Sequence, residues 1–320
     1  MVQPTVLISG LGSIGLRHAR NLKSCGITDI IGYDPNAERR ASFEAEMDSD
    51  SSDDFENCLK KKPDLVVIAS PNSFHIQQSI LAARHGCNLL IEKPLGTNNT
   101  NVPQLIRTIE EKKLFVHVGS NWKFHPAFIK MKQLINDGDI GNIFSSRVHG
   151  GYWLPDWHPW EDYRKTYSAR KDLGGGIEFD AHELDAIAWL LSPIKSIKSM
   201  AKNTGNLEID TNDIAIACLH HENGNFTTLQ MDYLYPVYRR RYEIAGTKGV
   251  IEWDFHDGLK LIRKNNETVN FPEGKLDDLN EMYVLQTQHV LDGIKGLSSP
   301  VTSVKDANRI MNLQIEISET

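Results

Sequence analysis

Three stretches of this sequence have the residue types and spacing to hold a dinucleotide and place a reactive lysine beside it. Gly10-Leu11-Gly12-Ser13-Ile14-Gly15 lies directly behind an apolar run, Val6–Ser9, and directly ahead of an amphipathic one. In that setting Gly10 makes a tight turn, Gly12 lets the backbone approach a pyrophosphate and Gly15 lets helix and strand pack closely. The first helical residues, Ser13 and Ile14, then turn a helix N-terminus toward the phosphates. Asp34 ends the next apolar run, 19 residues past Gly15. A carboxylate there accepts hydrogen bonds from the adenosine ribose and repels a 2′-phosphate, and the following residue, Pro35, offers no guanidinium, so NAD is favoured over NADP. The run Leu65–Ser70 leads into Pro71-Asn72-Ser73-Phe74-His75, which sets Ser70, Pro71, Asn72 and His75 at the carboxyl end of a strand, where ligands of such sheets bind. The next run ends in Glu92-Lys93-Pro94, where the proline restricts the backbone of the lysine before it.

The elements that carry these residues follow from apolar periodicity. Val6–Ser9, Ile30–Asp34, Leu65–Ser70, Leu89–Ile91 and Phe115–Val118 read as buried strands, and Ile14–Cys25 and Ile76–His85 as helices between them. Alternation of this kind builds a Rossmann domain, a parallel doubly wound α/β sheet, over residues 1–120. The acidic, serine-rich stretch Glu44–Glu56 reads as a solvated loop leading into a helix capped near Asp53. Beyond about residue 140 the chain turns to β-prone segments: Ile143–Tyr152, Ile197–Asn203, Asp213–Glu222, Asn225–Tyr235, Tyr238–Ala245, Gly249–Phe255 and Leu259–Arg263. Turn dipeptides at Asn223-Gly224, Lys248-Gly249 and Asp257-Gly258 imply hairpins. Residues 121–320 are therefore expected to form an α+β domain with a large, mainly antiparallel open sheet, with helices near Ala181–Leu191, Leu279–Gly293 and Val304–Ile317. The active site is expected in the cleft between the two domains.

Composition narrows the class of partner. A net charge of −7 argues against a nucleic-acid surface and toward a small-molecule partner. No window approaches the ~18 consecutive apolar residues of a membrane span, and Met1-Val2-Gln3-Pro4-Thr5 runs straight into a strand pattern, so a cytoplasmic location is expected. Cys25, Cys58, Cys87 and Cys218 are scattered and form no C-x-x-C pair, and no metal site is assigned. His220-His221, beside a hairpin turn, reads as solvent-exposed.

The order of these motifs resembles the glucose-fructose oxidoreductase, inositol dehydrogenase and rhizopine-catabolism (Gfo/Idh/MocA) family. The resemblance rests on the glycine-rich turn, Ala69-Ser70-Pro71-Asn72, Glu92-Lys93-Pro94 and the antiparallel second half. It extends to Gly119–Pro126, Gly138–Gly141, Gly174-Gly175-Gly176 ahead of His182-Glu183-Leu184-Asp185, and Glu243–Gly249, so it covers nearly the whole chain. It implies that Lys93 and a helix-start histidine, His182, flank a substrate hydroxyl beside the nicotinamide, that Glu92 and Pro94 position Lys93, and that the Lys93–Pro94 bond is cis. It also implies a homodimer or homotetramer joined through the second-domain sheet. The family's aspartate three or four residues before the histidine has two candidates: counting forward from the glycines favours Asp180, and counting back from the histidine favours Glu178.

The chemistry agrees with these residue types. Oxidising a secondary alcohol needs a base for the hydroxyl proton, for which histidine is suited, and a donor to the developing alkoxide, which lysine supplies. Trp122 and the segment Tyr152–Arg164 add aromatic and basic side chains, with Trp157 and Tyr163 able to stack on a sugar ring and Arg164 to clamp a carboxylate or phosphate. The same composition also suits a subunit boundary. The implied function is hydride transfer between NAD and a sugar, amino sugar, nucleotide sugar or inositol. The rivals are a redox-assisted isomerase or lyase that retains its NAD, and a non-catalytic dinucleotide sensor.

Overall fold

The computed structural model describes residues 3–171, 175–177, 181–276 and 278–318. The chain divides into one unit of residues 1–124 with 278–312, and another of residues 125–277 with 313–320.

In the first unit the elements alternate: β1 (Val6–Ser9), α1 (Ser13–Ser24), β2 (Ile30–Tyr33), α2 (Ala37–Met47), β3 (Ser51–Ser52), α3 (Phe55–Lys60), β4 (Leu65–Ile68), α4 (His75–Arg84), β5 (Asn88–Ile91), α5 (Val102–Lys112) and β6 (Val116–Val118). Six parallel strands pair in the order β3-β2-β1-β4-β5-β6. All four residues of β1 and of β4 are buried, which is why both read as unbroken aliphatic runs: a parallel sheet covered on both faces has no polar side to alternate with. The acidic stretch is more ordered than a loop. It holds the end of α2, the two-residue strand β3 and then α3, whose cap is Asp54, accepting from the Asn57 N–H at 2.9 Å, and not Asp53.

A single cut near residue 120 does not describe this unit. The helix expected over Leu279–Gly293 as part of the second domain forms as α9 (Asn280–Ile294), and its Val290 and Leu291 belong to the same buried cluster as Val6, Ile8, Leu22 and Leu65. The Asn280 side-chain amide also donates to Asn21 on α1 at 2.9 Å. A helix goes where its apolar stripe is buried, and sequence order does not determine that.

The second unit contains α6 (Pro126–Asn136), β7 (Ile143–Trp153), α7 (Leu154–Trp157), α8 (Ala181–Leu190), β8 (Ile194–Lys202), β9 (Ile214–His221), β10 (Phe226–Asp232), β11 (Leu234–Gly246), β12 (Gly249–Asp254), β13 (Gly258–Arg263) and β14 (Thr268–Phe271). The terminal helix α10 (Val304–Ser318) starts among the residues of the first unit and ends among those of the second. The eight strands run β14-β13-β12-β11-β7-β10-β9-β8, antiparallel except for the β7–β10 pair. One face is core: Phe128 of α6 meets Tyr242 and Trp253 edge-on with ring centroids 5.0 and 5.1 Å away. The other face carries Met200, Ile216, Phe226, Arg147, Glu243, Glu252 and Lys260. His221 corrects its expectation: it is fully buried, its ring nitrogens lying 2.7 Å from the Ser192 carbonyl and 2.8 Å from the Thr227 hydroxyl. Strand alternation turns it inward while its neighbour His220 stacks on Phe226.

Candidate active site

The glycine-rich turn joins β1 to α1, and its three glycines do different work. A Cβ on Gly10, whose φ is +93°, would sit 2.5 Å from the Ala69 carbonyl oxygen, and one on Gly15 would sit 1.8 Å from the Gly10 oxygen. A Cβ on Gly12 would meet nothing within 4 Å. The turn is packed solid beneath and open above Gly12, at the N-terminus of α1 where Ser13 and Ile14 begin the helix, and this is the form of a phosphate cradle. Asp34 is 2% exposed, and its two oxygens accept the N–H of Asn36 at 2.8 Å and of Leu11 at 2.9 Å. A carboxylate has lone pairs left after two such bonds, so it can still receive ribose hydroxyls. Arg39 lies 3.6 Å from the same carboxylate.

The ends of β4 and β5 are braced against each other. His75 is 1% exposed, with Nδ1 at 2.8 Å from the Pro94 carbonyl and Nε2 at 2.7 Å from the Ser70 carbonyl. It thus fixes the turn after β4 against the turn after β5. The Ser70 hydroxyl donates to Gln78, while Pro71 and Asn72 are exposed where the chain leaves the sheet. The Lys93–Pro94 bond is cis. Glu92 is 8% exposed; its Oε2 accepts the Lys93 N–H at 3.2 Å and its Oε1 lies 2.7 Å from His18 Nε2. Gly119 leaves room for this carboxyl, since a Cβ there would come within 3.3 Å of it. Burial, then His289 and Lys123, lower His117 on β6 to about 3, which makes it neutral at pH 7.

In the second unit His182 sits at the start of α8 and is half-buried. The next residue, Glu183, is 1% exposed and pairs with Arg240 of β11. Gly150 of β7 leaves room for Met231, since a Cβ there would come 2.8 Å from the Met231 sulfur, whereas the Glu183 carboxyl at 3.7 Å would be an ordinary contact. Tyr233 donates to the Gly176 carbonyl at 2.9 Å, tying the sheet to the glycine run before the helix. Glu178 and Asp180, the two candidates for the carboxylate supporting His182, lie outside the described residues.

The other expected substrate contacts each have partners within their own unit. Trp157 is 46% exposed and stacks between Tyr152 and Tyr238, with centroids 4.4 and 5.9 Å away. Arg164 is exposed and already forks onto Asp162 at 2.8 Å, with Glu208 at 3.3 Å, so it is not held ready for an anion. Tyr163 is half-buried, its hydroxyl accepting the Glu208 N–H at 3.4 Å. Trp122, at 7% exposure, is a buried residue of the first unit.

Sequence reasoning missed His18 and Tyr283. His18 follows Gly15 by one helical turn and so shares its face, which is a readable signal. Tyr283 on α9 could not be found this way, because it reaches the site only through the return of the chain. Arg17 lies over its ring at 4.7 Å, and burial together with the Glu92 carboxylate pushes its phenol upward, against the pull of Arg17 and Lys93. Among the described residues no group of three or more His, Cys, Asp or Glu side chains could hold a metal ion, and no helix is long and apolar enough to cross a membrane.

Residues 5–120 match the model of an oxidoreductase family with an NAD-binding Rossmann fold, and residues 128–252 match that of the GFO/IDH/MocA C-terminal domain. Among similar proteins, the 2,7-anhydro-N-acetylneuraminate hydratase of Mediterraneibacter gnavus is 26% identical over 259 residues, which cover 78% of this chain and 67% of the relative. The scyllo-inositol 2-dehydrogenase (NAD(+)) of Bacillus subtilis is 24% identical over 332 residues, covering 98% and 92%. A levoglucosan dehydrogenase solved in complex with NADH and levoglucosan superposes with a TM-score of 0.85 at 19% identity, covering 99% of this chain and 97% of that one, which is a likeness of fold.

Proposed function

The chain belongs to the Gfo/Idh/MocA family of NAD-binding oxidoreductases, and we propose that it reversibly oxidises a secondary hydroxyl of a sugar, amino sugar, nucleotide sugar or inositol. The observation that carries this reading is the first unit's pairing of an open glycine turn at Gly12 with the braced Glu92-Lys93-Pro94 turn on the same strand ends. The residues present fit NAD: the cradle takes the pyrophosphate and Asp34 the adenosine ribose. We infer a preference for NAD over NADP because the buried Asp34 carboxylate would repel a ribose 2′-phosphate, although Arg39 partly offsets its charge. When bound, the nicotinamide supplies the hydride acceptor. Lys93 then stabilises the developing alkoxide and His182 takes the hydroxyl proton, with Glu178 or Asp180 supporting the imidazole.

A 340 nm assay over polyols, sugars, uronic acids and inositols, run with NAD and NADP side by side, tests the reading. Net NADH formation with at least one such compound, faster with NAD, is the expected result. A second reading, a redox-assisted hydratase or lyase that keeps its NAD, gains support from the hydratase named above. It predicts product without net NADH. If the panel and the anhydro-neuraminate both leave no product and no NADH, catalysis is refuted and a sensor remains. We also infer a cytoplasmic enzyme that assembles as a dimer or tetramer through the uncovered face of the eight-stranded sheet.

A further inference from the structure

Lys93 has to exchange a proton or hold a charge for the proposed reaction, so whatever sets its charge sets the reaction's pH range. The Glu92 carboxylate and the Lys93 ammonium both act on the Tyr283 phenol, and the Glu92 carboxyl is divided between two elements. One oxygen holds the Lys93 backbone at 3.2 Å and the other meets His18 on α1 at 2.7 Å, with the His18 side chain 1% and the Glu92 side chain 11% exposed. His18 stands one turn above Gly15 on the helix whose N-terminus forms the cradle. A short bond between buried groups of this kind is strong, because little water competes for it.

We propose that His18 is a positioning residue for Lys93: through Glu92 it ties the phosphate-binding helix to the lysine turn and balances the carboxylate charge beside that lysine. This rests on the reading of Lys93 given above. The other titratable or charged groups around Glu92 are Arg17 on α1, His117 on β6, Lys123 in the Asn121–Phe124 turn, and Tyr283 and His289 on α9. Lys123 donates to the Thr302 hydroxyl at 2.8 Å, and His117 is neutral near pH 7. Removing the imidazole leaves more of the Glu92 charge uncompensated, which favours the ammonium form of Lys93. Removing the carboxylate does the reverse.

The test reads Lys93 directly and needs no substrate. Lysines are reductively methylated with 13C-formaldehyde, the Lys93 resonance is assigned by its loss in Lys93→Arg, and its titration midpoint is followed with and without saturating NAD+. His18→Phe should move the midpoint up and Glu92→Gln should move it down, each by about half a unit or more, with the double variant near the Glu92→Gln value. If His18→Phe does not fold, His18→Asn replaces it and should move the midpoint up by less. Shifts of one sign, or no shift in either variant, overturn the proposal. Failure of the underlying reading looks different: Lys93→Arg would retain full NADH formation while the midpoints still moved in opposite directions.

Discussion

The two sheets of this chain solve opposite problems. The six-stranded sheet is covered on both faces, and its candidate site lies in the turns at its strand ends, where three glycines and the hydrogen bonds of His75 and Glu92 fix the shape. The eight-stranded sheet has one buried face and one exposed face, and its candidate catalytic group, His182, is carried on α8, whose Glu183 pairs with Arg240 of β11. A site made of turns is written into local sequence. A site made by packing is written into residues far apart in the chain, and this contrast sets the sizes of the effects expected below.

The largest effect should come from the two groups proposed to react. Lys93→Ala and His182→Ala should each lower the single-turnover rate of hydride transfer by roughly 10²–10⁴-fold, the usual contribution of a proton-transfer group, while NAD+ affinity by fluorescence changes little. Running Glu178→Ala and Asp180→Ala beside them identifies the carboxylate that supports His182. Near-normal rates in His182→Ala between pH 6 and 9 would show that the packed site does not supply the base.

Next in size is the contrast within the glycine turn. Gly15→Ala places a methyl 1.8 Å from a backbone oxygen and should cost about 3 kcal/mol or more in stability, the scale of severe overpacking. Gly12→Ala meets open space, so its melting temperature should stay close to wild type while NAD+ binding weakens by about tenfold or more, because the methyl occupies the phosphate's approach. Equal losses of stability in the two variants would mean that the space above Gly12 is not a cradle.

What could be read in advance follows the same division. The places of the glycine turn, Asp34 and Lys93 at strand ends were legible because they depend on neighbours in sequence: β1 falls on Val6–Ser9 and β4 on Leu65–Ile68, as periodicity indicates. The return of α9 to the first core was not, because an amphipathic stripe states that a face is buried and not against what. Nor was the pairing of His18 with Glu92, 74 residues apart, or the inward turn of His221, which depends on strand register.

The smallest effect on the fold, and the sharpest on assembly, should come from the exposed face of the eight-stranded sheet. One row of side chains crosses it through Lys198, Cys218, Thr228, Arg147, Glu243, Glu252 and Lys260, with Arg147 3.0 Å from Glu243 and Lys260 3.0 Å from Glu252. The hollow of about 360 Å³ on this face is lined by Arg147, Arg239 and Arg241, and each already meets a carboxylate, so it holds no uncompensated charge for a small anion. Beside the charged row, Met200, Ile216 and Phe226 are 83%, 50% and 50% exposed. Apolar side chains on a broad sheet face are what a second copy would cover, and a twofold-related copy would set each row against its own reverse. Ile216 and Phe226 are half exposed, and Phe226 stacks on His220, so Ile216→Lys with Phe226→Lys should cost the subunit about 1 kcal/mol or less for each. Light scattering at micromolar concentration should nonetheless show the mass falling to that of a single chain. An oligomer of unchanged mass in the double variant would move the interface elsewhere, and a wild-type protein that is already monomeric would mean this face is simply solvated.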